Sequence, residues 1–134
     1  MATSHSDYET ISTISALIQK VDTDLQSKFS VSFEQFRILD FIKNIYPKQT
    51  TVSALAKQFH SSNSATSRKV SVLYKENLIQ DHVSGEDRRT HWITLAQKGN
   101  AIIHDIKIVV DSGLPDLETK ILVLLSNTIK NDNK

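Results

Sequence analysis

The residues of this chain that could do chemistry fall in two places. One is the polar segment Ser62–Lys75, in which Ser62, Asn63, Ser64, Ser67, Arg68 and Lys69 supply hydroxyls, an amide and two cations. The other is the charged stretch Ser84-Gly85-Glu86-Asp87-Arg88-Arg89. Serine hydroxyls bond to base edges or phosphates, and an arginine fork pairs with guanine or with a phosphate. Two adjacent arginines at a Gly-containing turn call for an anion nearby, and Asp87 supplies part of it. These groups are suited to binding nucleic acid.

Catalytic sets are missing from the pattern. The sequence has no cysteine, which excludes disulfides, thiolate metal sites and thiol redox sensing. Its histidines (His5, His60, His82, His91, His104) form no i, i+4 pair, so no metal site is expected. No nucleophile elbow and no phosphate-cradling Gly loop occur. We therefore expect no enzyme activity, no catalytic residues and no cofactor.

Stepping outward, periodicity assigns the elements that must hold these residues. Tyr8, Ile11, Ile14, Leu17, Ile18, Val21 and Leu25 recur at helical steps, predicting a helix from Asp7 to Lys28 with Asp7 as its cap. Ser32 with Gln35 three residues on predicts a capped second helix carrying Phe36, Leu39 and Ile42 and closed by Pro47. Val52, Leu55, Ala56 and Phe59 mark a short third helix. From Ser62, the expected cap, a fourth helix puts Thr66, Val70, Leu73 and Tyr74 on one face and Asn63, Ser64, Ser67, Arg68 and Ser71 on the other. Two short helices so joined make a helix-turn-helix. A serine-rich helix face alone suits an ordinary solvated surface equally well.

After Asn77 the period changes to two. Ile79, Asp81 and Val83, then His91, Ile93 and Leu95, predict a hairpin with the charged stretch at its tip. Helical spacing resumes from Gln97 to Ser112, is broken at Gly113-Leu114-Pro115, and returns with Leu117, Ile121, Leu124, Leu125 and Ile129. The fold class is mostly α: a winged helix-turn-helix, with a three-helix core, a β-hairpin wing and flanking helices. Residues 1–31 and 99–134 are expected to form dimerisation helices around a DNA-binding domain at 32–98.

Charge follows the same division. Residues 48–98 carry eight Lys/Arg against four Asp/Glu, whereas 1–47 carry four against six and 99–134 four against five. The positive excess is central, as phosphate neutralisation requires. No apolar run follows Met1–Asp7 and none is long enough to span a bilayer, so no membrane partner and a cytoplasmic location are expected.

Leu55-Ala56-Lys57-Gln58-Phe59 onward to Gly99, with Asp87-Arg88-Arg89 followed six residues on by Leu95 and ten on by Gly99, resembles the MarR family of transcription regulators. Phe33–Leu39 resembles its second helix. The departures are His60 and Asn77 at family glycines, Ser61 and Thr66 at small aliphatic positions, Asp81 at a common Arg, and Ala96 at a capping Thr. The resemblance implies reading of double-stranded DNA by residues 62–75, with Arg89 in the minor groove and Arg88 nearer the phosphates. It also implies a homodimeric repressor on a pseudo-palindromic operator. A small-molecule effector would bind in a cleft lined from Ile14–Val21, Phe36–Ile42 and Ile102–Ile106. The apolar faces of the end helices favour dimerisation, although an intramolecular bundle would also bury them. A protein-interaction module that does not read DNA is the alternative, favoured by Asp81 and opposed by Arg68, Arg88 and Arg89.

Overall fold

The computed structural model describes residues 6–83, 89–114 and 117–132. Along the chain run α1 (Asp7–Phe29), α2 (Phe33–Ile45), α3 (Val52–Gln58), α4 (Asn63–Lys75), β1 (Ile79–Val83), β2 (His91–Leu95), α5 (Gln97–Gly113) and α6 (Leu117–Asp132). This is the mostly helical winged helix-turn-helix anticipated from periodicity.

Side-chain caps start four of the helices. Ser32 Oγ accepts from the Gln35 amide at 3.0 Å while Gln35 Oε1 accepts from the Ser32 amide at 2.7 Å, a reciprocal box that satisfies two orphan N–H groups. Asp22 of α1 takes a third, from Phe33, at 2.7 Å, which fixes α2 against α1. The cap of α1 is Ser6, not Asp7. Ser6 and Glu9 form the full box, and Asp7 lies in the first turn, where its charge suits the helix dipole. Thr51 and Ser62 cap α3 and α4. At α5 the capping position is Ala96, which makes no side-chain bond.

One core joins the helices to the wing. Leu25 of α1, Leu39 of α2, Leu55 of α3, Leu73 of α4, Ile93 of β2 and Ile103 and Ile106 of α5 are all essentially inaccessible. Burying each such side chain stabilises the fold by about 1.5–3 kcal/mol, more than any single cap at about 1 kcal/mol. Packing therefore sets the architecture and the caps set the boundaries.

The hairpin is antiparallel, with Asp81 opposite Ile93 and Val83 opposite His91. Its base gains a third member that periodicity does not reveal. Thr50, buried just before α3, exchanges hydrogen bonds with Ile93 at 2.7 and 3.4 Å. The wing is thereby tied to the entrance of the helix-turn-helix.

His60 and Asn77 have φ of 52° and 60°. These are the two positions where the family resemblance would place glycine, and the left-handed backbone explains that preference. Among the described residues, no helix is long and apolar enough to cross a membrane.

Candidate nucleic-acid interface

The buried face of α4 is Thr66, Val70 and Leu73, with Tyr74 half-buried beside them. This leaves Asn63, Ser64, Ser67, Arg68 and Ser71 exposed. Ser62 is exposed as well, and its hydroxyl accepts from the Ala65 amide at 3.0 Å. The N-terminal turn thus presents small polar groups and the positive end of the helix dipole together. Arg68 Nε donates to the Ser64 carbonyl at 3.4 Å, which draws the guanidinium over that turn. Lys69 points elsewhere. It is half-buried and lines a hollow against Ile14 and Ile18 of α1 and Glu34 of α2.

Between α4 and the wing lies a hollow of about 520 Å³, lined by Ser67, Ser71 and Tyr74 on one side and Asp81, Arg89 and His91 on the other. Arg89 is exposed and follows directly on the wing tip. The two segments singled out in the sequence, far apart along the chain, therefore meet at one surface through Ser67 and Arg89. Asp87 and Arg88 lie outside the described residues.

Sequence reasoning missed the polar network in this hollow. His91 Nδ1 stands 2.8 Å from Asp81 Oδ2, and the Tyr74 phenol bonds to the same carboxylate. Burial, reinforced by the Asp81 charge and that hydrogen bond, pushes the Tyr74 phenol up to about 12. The only advance signal was Asp81 itself, an acid in a basic segment. On the other face of the hairpin, His82 Nε2 meets Thr94 Oγ1 at 3.0 Å.

Residues 31–91 match the model of the MarR family. Across 133 aligned residues the chain is 29% identical to the HTH-type transcriptional regulator TcaR of Staphylococcus aureus, covering 90% of this chain and 86% of that protein. Over residues 31–91 the chain is similar to the MarR family. TcaR is, by its name, a transcriptional regulator. The fold of this chain matches the transcriptional regulator BldR from Sulfolobus solfataricus with a TM-score of 0.69 at 20% identity, covering 92% of each chain. It also matches S. aureus MepR in a MepR–DNA complex, with a TM-score of 0.63 at 17% identity over 90% of this chain and 96% of that one. Gly99, part of the spacing that resembles the family, lets α5 pass against the Leu78 backbone.

Proposed function

We propose that this chain is a transcription regulator, a homodimer that binds a pseudo-palindromic operator in double-stranded DNA, with α4 in the major groove and the wing along the flanking minor groove. The observation that carries this reading is the shared surface of Ser67 and Ser71 on α4 with Arg89 at the wing. A helix offering short polar side chains can approach base edges closely, and an arginine beside it is favoured where the minor groove is narrow. The crystallised MepR–DNA complex, which has the same fold, supports the same use of it.

Ser62, Asn63 and Ser64 would receive phosphate at the helix N-terminus, and Ser67 and Arg68 would face bases. Asp87, Arg88 and Arg89 would form the wing contact. Lys69 is better suited to a backbone contact at the edge, given its half-buried place against α1 and α2. Residues 32–98 would be the DNA-binding domain, with 1–31 and 99–134 dimerising. Blocking a promoter is the simplest use of such a dimer, hence a repressor in the cytoplasm, where its DNA would be.

An effector site is also part of this proposal, and it shares the α1 segment Ile14–Val21 with the cleft first expected. Phe36, Ile38, Leu39, Ile42, Ile103 and Ile106 are buried core. A nearly all-apolar cavity of about 150 Å³ lies among Ile14, Ile18, Phe33, Val110, Leu114 and Ile121. A small apolar molecule there would touch α1, α2, α5 and α6 at once and shift the spacing of the reading helices.

Titration of the full chain against DNA upstream of its own gene and against a random-sequence duplex pool, at several salt concentrations, tests the reading. We expect a specific complex whose log affinity falls linearly with log salt. No complex on either, with no salt slope, would leave the protein-interaction module as the better account.

A further inference from the structure

An acidic group in the lining of a hollow proposed to face DNA needs a physical reason. Asp81 shares its face of β1 with Ile79 and Val83, and its carboxylate is about one-third exposed in the hollow beside α4 (36% accessible). His91 is its diagonal neighbour in the hairpin, since Asp81 pairs with Ile93 and His91 precedes Ile93 by two residues. The 2.8 Å contact between His91 Nδ1 and Asp81 Oδ2 leaves the imidazole largely open, at 60% accessible.

The charged and titratable groups around this pair are few. Among the described residues lining the hollow, α4 contributes Tyr74, β1 contributes Asp81, and the start of β2 contributes His91 with Arg89 just before it. The α3 side offers Thr51, Val52 and Ser53, none of them ionisable. Tyr74, bonded to Asp81, stays a neutral phenol far above neutral pH. His82 projects from the opposite face of β1 and bonds to Thr94, apart from the hollow. Among the described residues of the hollow, the net charge beside Asp81 is thus set by Arg89 and by whether His91 carries a proton.

With a neutral imidazole, Asp81 repels a phosphate brought into the hollow. With His91 protonated, the Asp81–His91 pair is neutral and Nε2–H becomes an additional donor for a phosphate oxygen. A nearby phosphate in turn favours the charged imidazole. Whatever factor DNA adds to the proton affinity of His91, the proton adds to DNA affinity.

We propose that His91 takes up a proton from solvent when DNA binds, held in position by Asp81, so that DNA affinity falls as pH rises through the imidazole range. This rests on the DNA-binding reading above. It makes His91 a DNA-contacting residue and Asp81 a positioning residue.

The test uses the full chain and a duplex selected by it from a random-sequence pool, titrated at constant ionic strength at about pH 6 and about pH 8. Wild-type affinity should be about fivefold or more weaker at the higher pH. His91→Gln keeps a hydrogen-bonding side chain without a titratable proton, and most of that difference should vanish. Asp81→Asn should bind more tightly than wild type at pH 8, because the repulsive charge is gone; a residue that merely supported the fold would bind more weakly at both pH values. Urea unfolding of each variant confirms that it is folded. A His91→Gln profile that follows wild type, or an Asp81→Asn protein that is folded and weaker at both pH values, overturns the inference. Absence of a complex at either pH overturns the DNA-binding reading and this inference with it, whereas a complex whose profile ignores His91 overturns this inference alone.

Discussion

A side chain at Gly99 would collide with the backbone of Leu78: a Cβ there would stand 2.0 Å from the Leu78 carbonyl oxygen and 2.9 Å from its carbon. That carbonyl cannot easily give way. It also accepts from the Ala96 amide at 3.0 Å, and Leu78 is itself buried. Gly99→Ala should therefore destabilise the fold by about 1–3 kcal/mol or more, the usual cost of overpacking against an immobile neighbour. Urea unfolding measures it, and an unchanged midpoint would mean that α5 can slide away from the α4–β1 junction.

The left-handed residues make a second, graded prediction. His60 and Asn77 hold φ of 52° and 60° without being glycine. Asn enters this region readily, so Asn77→Gly should be nearly neutral, whereas Asn77→Val should cost about 1–2 kcal/mol. For His60→Gly, relief of backbone strain opposes a more flexible unfolded chain worth about 0.4–1 kcal/mol, so stability should stay level or rise slightly. Equal losses for glycine and valine at either position would show that side-chain contacts, not φ, decide these sites.

For the proposed interface, Arg68→Ala should weaken binding by about 1–3 kcal/mol and relax sequence preference if Arg68 reads a base. Arg89→Ala should lower affinity across sequences, reduce the salt slope by about one, and leave the oligomeric state intact. Binding isotherms on matched and single-mismatch duplexes separate the two. Wild-type affinity in both variants would remove α4 and the wing from the DNA contact.

Most of the architecture was legible because apolar spacing is a direct imprint of burial. The predicted face of α4 (Thr66, Val70, Leu73) is the one that packs, and Ser32 with Gln35 is the cap that forms. What escaped depended on contacts between residues distant in sequence or on single residues. Thr50 joins the wing through one bridge, which leaves no periodic trace. Lys69 adjoins Arg68 in sequence, yet a one-residue step around the helix turns it toward α1. The Tyr74–Asp81–His91 network draws on a helix and both strands, so no local pattern announces it. At α1 the sequence points to Asp7 as the cap, whereas Ser6 caps because Glu9 stands three residues on and completes the box.

Tyr74 links stability to alkaline pH. Its phenol is raised from 10.0 to about 12, first by burial and then by Asp81. A folded-state value above the unfolded one means that this contribution is complete below pH 10 and is lost as pH rises from 10 through about 12. Tyr74→Phe removes the ionisation, so its stability should decline less over that window than wild type. Urea midpoints at pH values spanning the window test this, and parallel declines would show that other groups govern alkaline unfolding.

The dimer prediction rests on apolar surface that the protomer leaves uncovered. Tyr8 and Ile11 of α1, Ile108 of α5, and Leu122, Val123 and Leu125 of α6 are each at least half exposed. A soluble protein rarely leaves so many large apolar side chains on neighbouring terminal helices without a partner. Because Ile11 and Leu122 are 66% and 65% exposed, charging them should spare the core while opposing association. Ile11→Glu combined with Leu122→Glu should sediment as a monomer at about micromolar concentration, where wild type sediments as a dimer, with urea unfolding still cooperative. Two tethered reading heads gain from effective concentration, so the monomer should also bind a full operator about a hundredfold or more weakly, yet bind an isolated half-site much as one wild-type protomer would. A wild-type monomer would overturn the dimer, and a double variant that still dimerises would place the two-fold contact elsewhere on the molecule.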